Sequence, residues 1–298
     1  MNARDWTLLL ILAALWGGTF FFIAVVVDDL PTLTIVAARV SLAAVTLGVF
    51  AAVVGLRLPR DAATWRDFVV LGVLNNALPF GLNVWSQAHL ASGLAAVFNA
   101  TTPLFTVLVA HVATRDERLG AGKIAGVLIG LAGVAVLIGT DALRDVGIAV
   151  VAQIALLGAA LSYACGIIYA RRLRHLPATM IGLGQLCASS AMMVPLALLI
   201  DRPWLLPVPG GTVIASVVSL AVFSTALAYV LYFSILTSAG ATNASLVTFL
   251  NPVSAILLGS FVLGERLAPH HFAGMALIFA GLTAIDGRLF RRLRRAPA

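Results

Sequence analysis

The chain has 298 residues, 61% of them hydrophobic and only 10% charged, with a net charge of +7 and a mean hydropathy of +1.05. A soluble domain carries about 25% charged residues, so this composition excludes one and predicts an all-α integral membrane protein. Ten apolar spans are expected near residues 6–27, 32–54, 68–90, 93–113, 124–140, 147–170, 179–200, 212–237, 241–263 and 271–287, because about 20 apolar residues cross the hydrocarbon core.

The first span is long, lacks a small-residue cleavage site and precedes nine others, so it reads as a true helix and not a signal peptide. Trp16 and Phe20 lie four apart on one face of it. In the second span Arg39 falls eight residues after Pro31, about 12 Å into the bilayer. Such a cation either takes a substrate carboxylate by charge-assisted hydrogen bonding or pairs with helix-end carbonyls and snorkels outward.

The third span is the most polar, with Asn75, Asn76, Asn83, Trp85, Ser86, Gln87 and His89. Asn76, Pro79, Asn83 and Gln87 step by three, four and four, which places them on one helical face. That stripe is expected to line an interior cavity, although polar side chains in membrane bundles also bond helix to helix. His89 and His111 lie near span ends and read as interfacial neutral imidazoles.

In the fourth span the run Asn99 to Pro103 matches Thr248 to Pro252 in the ninth, with Asn and Thr exchanged: Thr102 stands over Asn251. Pro103 and Pro252 each remove a hydrogen bond to the carbonyl four residues earlier, so both helices should kink there and serve gating. The fifth span carries Gly122, Gly126, Gly130 and Gly133, and the tenth Gly274 and Gly281. That spacing predicts close packing of these two helices. Cys165 and Cys187 fall within spans and are expected as buried free thiols, and Tyr169 as an interfacial belt residue. The loop from Asp201 to Thr212, with Pro203, Pro207 and Pro209, should be a rigid connector. The eighth span offers Thr225, Tyr229 and Tyr232 at i, i+4 and i+7, which with Trp16, Phe20 and Trp85 would wall a pore suited to moderately apolar or aromatic solutes.

The chain also repeats itself. Leu30-Pro31 recurs as Leu176-Pro177 and Arg39 aligns with Gln185, both 146 residues apart; Pro103 aligns with Pro252 at 149, and Glu117-Arg118-Leu119 with Glu265-Arg266-Leu267 at 148. Residues 1–145 and 146–298 thus form two five-span repeats, and an odd number of crossings per repeat sets them in inverted topology. Fifteen Lys and Arg residues fall on one side, whereas Arg144, Arg202 and Arg266 fall on the other. Both termini are therefore expected in the cytoplasm, and the basic tail is expected to face lipid headgroups, not nucleic acid. All acidic residues fall in loops or near span ends. Ion coupling through a mid-membrane carboxylate is thereby disfavoured, and downhill transport is the default.

The ten spans, Trp16-Gly17-Gly18, Arg39, Pro103, Pro252 and the run Gly264 to Leu267 together resemble the drug/metabolite transporter superfamily, specifically its EamA-type ten-helix members, over essentially the whole chain. The resemblance implies a bacterial inner-membrane exporter of metabolites, such as amino acids including aromatic ones, working by alternating access through a central cavity. On this reading the substrate is bound by Trp16, Phe20, Arg39, Asn76, Asn83, Trp85, Gln87, Asn99, Thr225, Tyr229 and Tyr232, with Pro79, Pro103, Asn251 and Pro252 bending or gating. A proton-coupled multidrug exporter is the alternative, and a channel is a third option. A membrane enzyme is disfavoured, because the spans lack paired carboxylates, His-Glu-x-x-His and Gly-x-Ser-x-Gly. No cofactor and no metal are expected; the partners are a small-molecule substrate and the lipid bilayer, with the chain a monomer or weak homodimer.

Overall fold

The computed structural model describes residues 3–113, 120–139, 147–240, 244 and 246–286. The first copy of the Glu-Arg-Leu repeat at Glu117, together with Arg115, Arg144 and the basic tail, lies outside them. Among the described residues the chain is helical without strands. Among the described residues, seven helices are long and apolar enough to cross a membrane: α1 (Ala3–Val26), α2 (Thr32–Val53), α3 (Ala62–Gln87), α4 (Ser92–Ala113), α6 (Ile148–Leu173), α7 (Ala178–Ile200) and α8 (Gly211–Ala239). Three shorter apolar helices complete the set, α5 (Gly122–Ile138), α9 (Val247–Val262) and α10 (Pro269–Ile285).

Helix α3 starts six residues before the apolar run predicts. Asp61 caps it by accepting from the Thr64 backbone N–H at 2.8 Å, and hydrogen bonds from Thr64 hold its carboxyl below the usual carboxylate range. The first two turns of α3, which carry Arg66 and Asp67, can therefore be helical outside the apolar slab. Its Asp67 accepts from the Tyr169 hydroxyl at 2.8 Å and lies 3.8 Å from both Arg66 and Arg172. Tyr169 is thus tied into a polar cluster at that membrane face.

Apart from the amide-bearing α3, most of the helices are apolar all round. One side fills the interior, and the other presents large side chains such as Leu42, Val45, Val49 and Val53 on α2, which read as lipid-facing. The largest interior cluster lies among α2, α3, α7 and α8 and includes Ile35, Val40, Phe80, Val84, Leu186 and Leu220. Packing follows a pattern of exchange. Helix α1 packs on α9 as α6 does on α4; α3 packs on α6 as α8 does on α1; α3 packs on α7 as α8 does on α2. Substituting each helix of the first five for its counterpart in the second five preserves these contacts.

Helices α5 and α10 pack together at the edge, as their glycines predict. A methyl group on Gly126 would lie 2.6 Å from the Gly281 carbonyl, and one on Gly133 would lie 2.8 Å from the Gly274 carbonyl. Gly122 differs from the expectation: a methyl there meets nothing within 4 Å among the described residues, because the crossing begins one turn later.

Two carboxylates cap helices from a distance. Asp201, at the end of α7, accepts from the Thr34 backbone N–H and hydroxyl at 2.7 and 2.9 Å, tying α7 to the start of α2. Glu265, between α9 and α10, accepts from the Ser92 N–H (2.7 Å) and hydroxyl (2.9 Å) and from the Gly93 N–H (3.2 Å) at the start of α4. Negative charge is favoured at a helix N-terminus, where N–H groups lack intrahelical acceptors. Beyond Asp201 the chain turns through Arg202, whose φ of 50° makes it the one non-glycine residue with positive φ among those described. That conformation costs on the order of 1 kcal/mol for a side-chain-bearing residue.

Candidate functional site

Midway along α3 and α8 the α-helical ladder widens into π-helical turns, at Val73–Ala77 and Val222–Leu227. They occupy matching places in the two halves of the chain, 149 residues apart at their starts. A π-turn inserts a residue into a helix and leaves side chains and carbonyls outside the regular ladder. Here the freed Leu220 carbonyl accepts from the Thr225 hydroxyl at 2.9 Å.

These turns deliver polar side chains to the bundle interior. Arg39 on α2 is buried, donates from Nε to the Thr225 Oγ1 at 3.0 Å, and places its guanidinium carbon 3.6 Å from the centre of the Phe80 ring. The second copy does the same with neutral groups. Gln185 on α7 accepts at Oε1 from the Asn75 amide at 3.1 Å. Its own amide donates to the Tyr229 hydroxyl at 3.2 Å, and that hydroxyl donates to Asn76 Oδ1 at 3.3 Å. Asn76 in turn donates to Ser189 Oγ at 2.9 Å, and Ser189 donates to the Gln185 carbonyl at 2.6 Å. Gly166 on α6 makes room for Asn75, whose side chain occupies the space a methyl there would need.

Arg39 forms no ion pair among the described residues. Tyr163 and Tyr229 pack against the same interior cluster as Phe80. A buried guanidinium with one hydroxyl partner and one aromatic face retains donors for an anion, since the fork carries five N–H groups.

About two and three turns beyond Asn76 on α3, Asn83 and Gln87 are buried. Each amide donates to its own helix, Asn83 to the Pro79 carbonyl at 2.7 Å and Gln87 to the Asn83 carbonyl at 3.4 Å. Their oxygens have no hydrogen-bond partner among the described residues, nor do Gln153 Oε1 on α6, Asn251 Oδ1 on α9 and Ser224 Oγ on α8. Ser86 on α3 donates to the Ala152 carbonyl at 2.9 Å, so Gln87 and Gln153 immediately follow a direct contact between the two helices.

The residues expected from sequence divide into groups. Arg39, Asn76, Thr225 and Tyr229 meet in the network just described. Trp16 meets Tyr232 at 5.4 Å between ring centres, and Tyr232 and Tyr229 both meet Phe233, forming an aromatic wall from α1 and α8. Phe20 is buried against Leu94, Phe98 and Ala255 in a separate apolar cluster. Trp85 faces another side of α3, half-buried, with its ring 5.1 Å from His89, and is not brought to the network.

The proline sites are likewise distinct. Before Pro103 the helix breaks at Ala100 and Thr101, and the Thr102 hydroxyl donates to the Asn99 carbonyl at 2.8 Å. Asn99 thus takes part through its backbone. Pro252 lies inside α9 beside buried Asn251, and Ser254 one turn on donates to the Ala13 carbonyl of α1 at 2.7 Å. A methyl on Gly17 would overlap Ser254, so α1 and α9 approach closely there. Pro79 follows the π-turn of α3 without breaking the helix. Reading the sequence missed Phe80, Tyr163, Ser189 and Ser224 as parts of this interior, because apolar or lone hydroxyl residues in an apolar span give no signal of their own; it also missed Gln153, a single amide with apolar neighbours on its helical face.

A family model described as "EamA-like transporter family" matches residues 5–139 and again residues 150–285. The chain is 28% identical over 266 residues to a protein of Escherichia coli (strain K12) named "Uncharacterized inner membrane transporter YedA", covering 89% of this chain and 84% of that one. It is 28% identical to "Protein PecM" of Dickeya dadantii (94% and 92% covered) and 27% identical to a "Probable amino-acid metabolite efflux pump" of Escherichia coli (strain K12) (95% and 94%). A protein of known crystal structure shares the fold with a TM-score of 0.67 at 20% identity, over 99% of this chain and 100% of that one.

Proposed function

Because the chain belongs to the EamA-like transporter family of the drug/metabolite transporter superfamily, we propose that it exports small metabolites, amino acids among them, by alternating access. The single observation that carries this reading is the interior network of α2, α3, α7 and α8, with a buried Arg39 that no carboxylate among the described residues neutralises. Secondary transporters place substrate sites at the meeting of two repeats, near helices whose regular ladder is interrupted. The matched π-turns and the contact pattern that survives exchange of the two halves support two inverted five-helix repeats of this kind.

In the proposed cycle the solute enters from the cytoplasm, its anionic group approaches Arg39, and its apolar part lies against Phe80 and the wall of Trp16, Tyr229 and Tyr232. The open oxygens of Asn83 and Gln87 accept from its donors. The break before Pro103 and the backbone hydrogen bond that Pro252 cannot donate within α9 let the two helices bend as the repeats rock. The relative named as an amino-acid metabolite efflux pump supports amino acids as the solute class.

Purified protein in liposomes loaded with labelled amino acids, and separately with cationic drugs, tests this with and without a pH gradient. Efflux of amino acids that follows their own gradient is expected. Efflux restricted to cationic drugs and driven by the pH gradient would replace this reading with a proton-coupled multidrug exporter.

A further inference from the structure

Helix α2 stands as a ridge between two apolar grooves at one end of the membrane. The first, about 300 Å³, runs between α2 and α8 and is lined by Leu30, Leu42, Pro203, Pro207, Val217 and Val218. The second, about 210 Å³, runs between α2 and α7 and is lined by Ala38, Ser41, Val194 and Leu198. Thr34 and Pro203 line both, so the grooves meet over the start of α2. The ridge between them is lipid-facing, with Leu42 and Val45 exposed.

The head of this saddle is charged. Arg202 directly precedes Pro203, and Asp28 and Asp29 directly precede Leu30; all three side chains are exposed. Asp201 is already engaged by Thr34. Trp204, 63% exposed beside Arg202, has the amphipathic ring that settles at headgroup level. Arg202 holds a left-handed conformation that favours glycine, yet the chain keeps a guanidinium there.

We propose that this saddle binds one diacyl phospholipid with a zwitterionic, primary-ammonium headgroup, phosphatidylethanolamine in chemical class. One acyl chain lies in each groove astride α2. The guanidinium of Arg202 takes the phosphate, which its planar fork matches. Asp28 and Asp29 take the ammonium, which donates hydrogen bonds that a quaternary choline lacks. A net-anionic headgroup such as phosphatidylglycerol would bring no cation to these carboxylates.

Native mass spectrometry of the delipidated full chain in detergent, with phosphatidylethanolamine, phosphatidylcholine or phosphatidylglycerol added at equal concentration, tests the site. One phosphatidylethanolamine is expected to be retained several-fold more than the other two. Arg202→Gly eases the backbone and removes the guanidinium, so retention falls roughly tenfold, as for loss of a charged hydrogen bond, while the unfolding temperature does not fall. Ala38→Trp fills the second groove from the lipid side and lowers retention of all three lipids. Equal retention of the three lipids by the unaltered chain, or retention unchanged by either substitution, means annular contact only and overturns the proposal.

Discussion

Arg39 on α2 donates to Thr225 in the π-turn of α8 at 3.0 Å, which joins the two copies of the repeat through a charged hydrogen bond. At the equivalent place Gln185 on α7 meets Asn75 in the π-turn of α3 at 3.1 Å. The same joint is therefore built twice, once with a cation and once without. A charge with no counter-ion among the described residues is costly in a membrane interior, and on the proposed reading its retention on one side makes that side the one that takes the solute's anionic group.

Arg39→Gln, which gives the first copy the residue of the second, should weaken transport of carboxylate-bearing solutes roughly 10- to 100-fold, the range for one hydrogen bond to a charged group. Arg39→Lys should not restore it, because lysine lacks the planar fork that meets Thr225 and a carboxylate together. Concentration dependence of flux in liposomes checks this; equal loss for carboxylate and neutral solutes would point to a folding role instead.

Tyr229→Phe removes the hydroxyl that accepts from Gln185 and donates to Asn76. Hydrogen bonds between membrane helices average about 0.6 kcal/mol, so the two together contribute about 1 kcal/mol. A small drop in unfolding temperature in detergent is expected, with a larger loss of flux. Unchanged flux would remove Tyr229 from the site.

Gly126→Leu and Gly133→Leu should abolish stable assembly of α5 with α10, since even a methyl would collide with backbone of the facing helix. Gly122→Ala, which meets open space, should be tolerated. The folded yield after size-exclusion chromatography separates the two outcomes.

Glu265→Ala leaves three donors at the start of α4 without their acceptor. Loss of such a cap costs about 1–2 kcal/mol, read as a lowered unfolding temperature. Glu265→Gln should recover part of it, because the amide oxygen still accepts one N–H but carries no charge.

Much of the architecture was readable in the sequence because lipid imposes two simple demands, apolar length and small residues where helices cross. Arg39, Asn76, Thr225 and Tyr229 were readable for the same reason, since polarity in an apolar span is conspicuous. What the sequence did not yield was which partner each polar group takes. Helical spacing placed Trp85 in the cavity wall with the α8 tyrosines, and Gly122 in the packing seam. In the structure Trp85 lies on another face, beside His89, and Gly122 precedes the crossing. Neither π-turn announces itself, because Val-Leu-Asn-Asn-Ala and Val-Phe-Ser-Thr-Ala-Leu are ordinary helical compositions. Glu265 was noticed as a repeated motif, yet its task depends on Ser92, which lies 173 residues away.

The π-turn of α3 also fixes the phase of everything beyond it. One inserted residue sets each later residue of a helix back by about 100°, to where the residue before it would otherwise stand. In an uninterrupted helix of the same sequence Leu82 and Ser86 would point where Asn83 and Gln87 now point, and the two amides would face about 100° away. A single-residue deletion within Val73–Ala77 would thus close the turn into a regular helix and leave the amide stripe facing the interior, whereas the same deletion placed just after Ala77 would keep the turn and swing Asn83 and Gln87 away from it by about 100°.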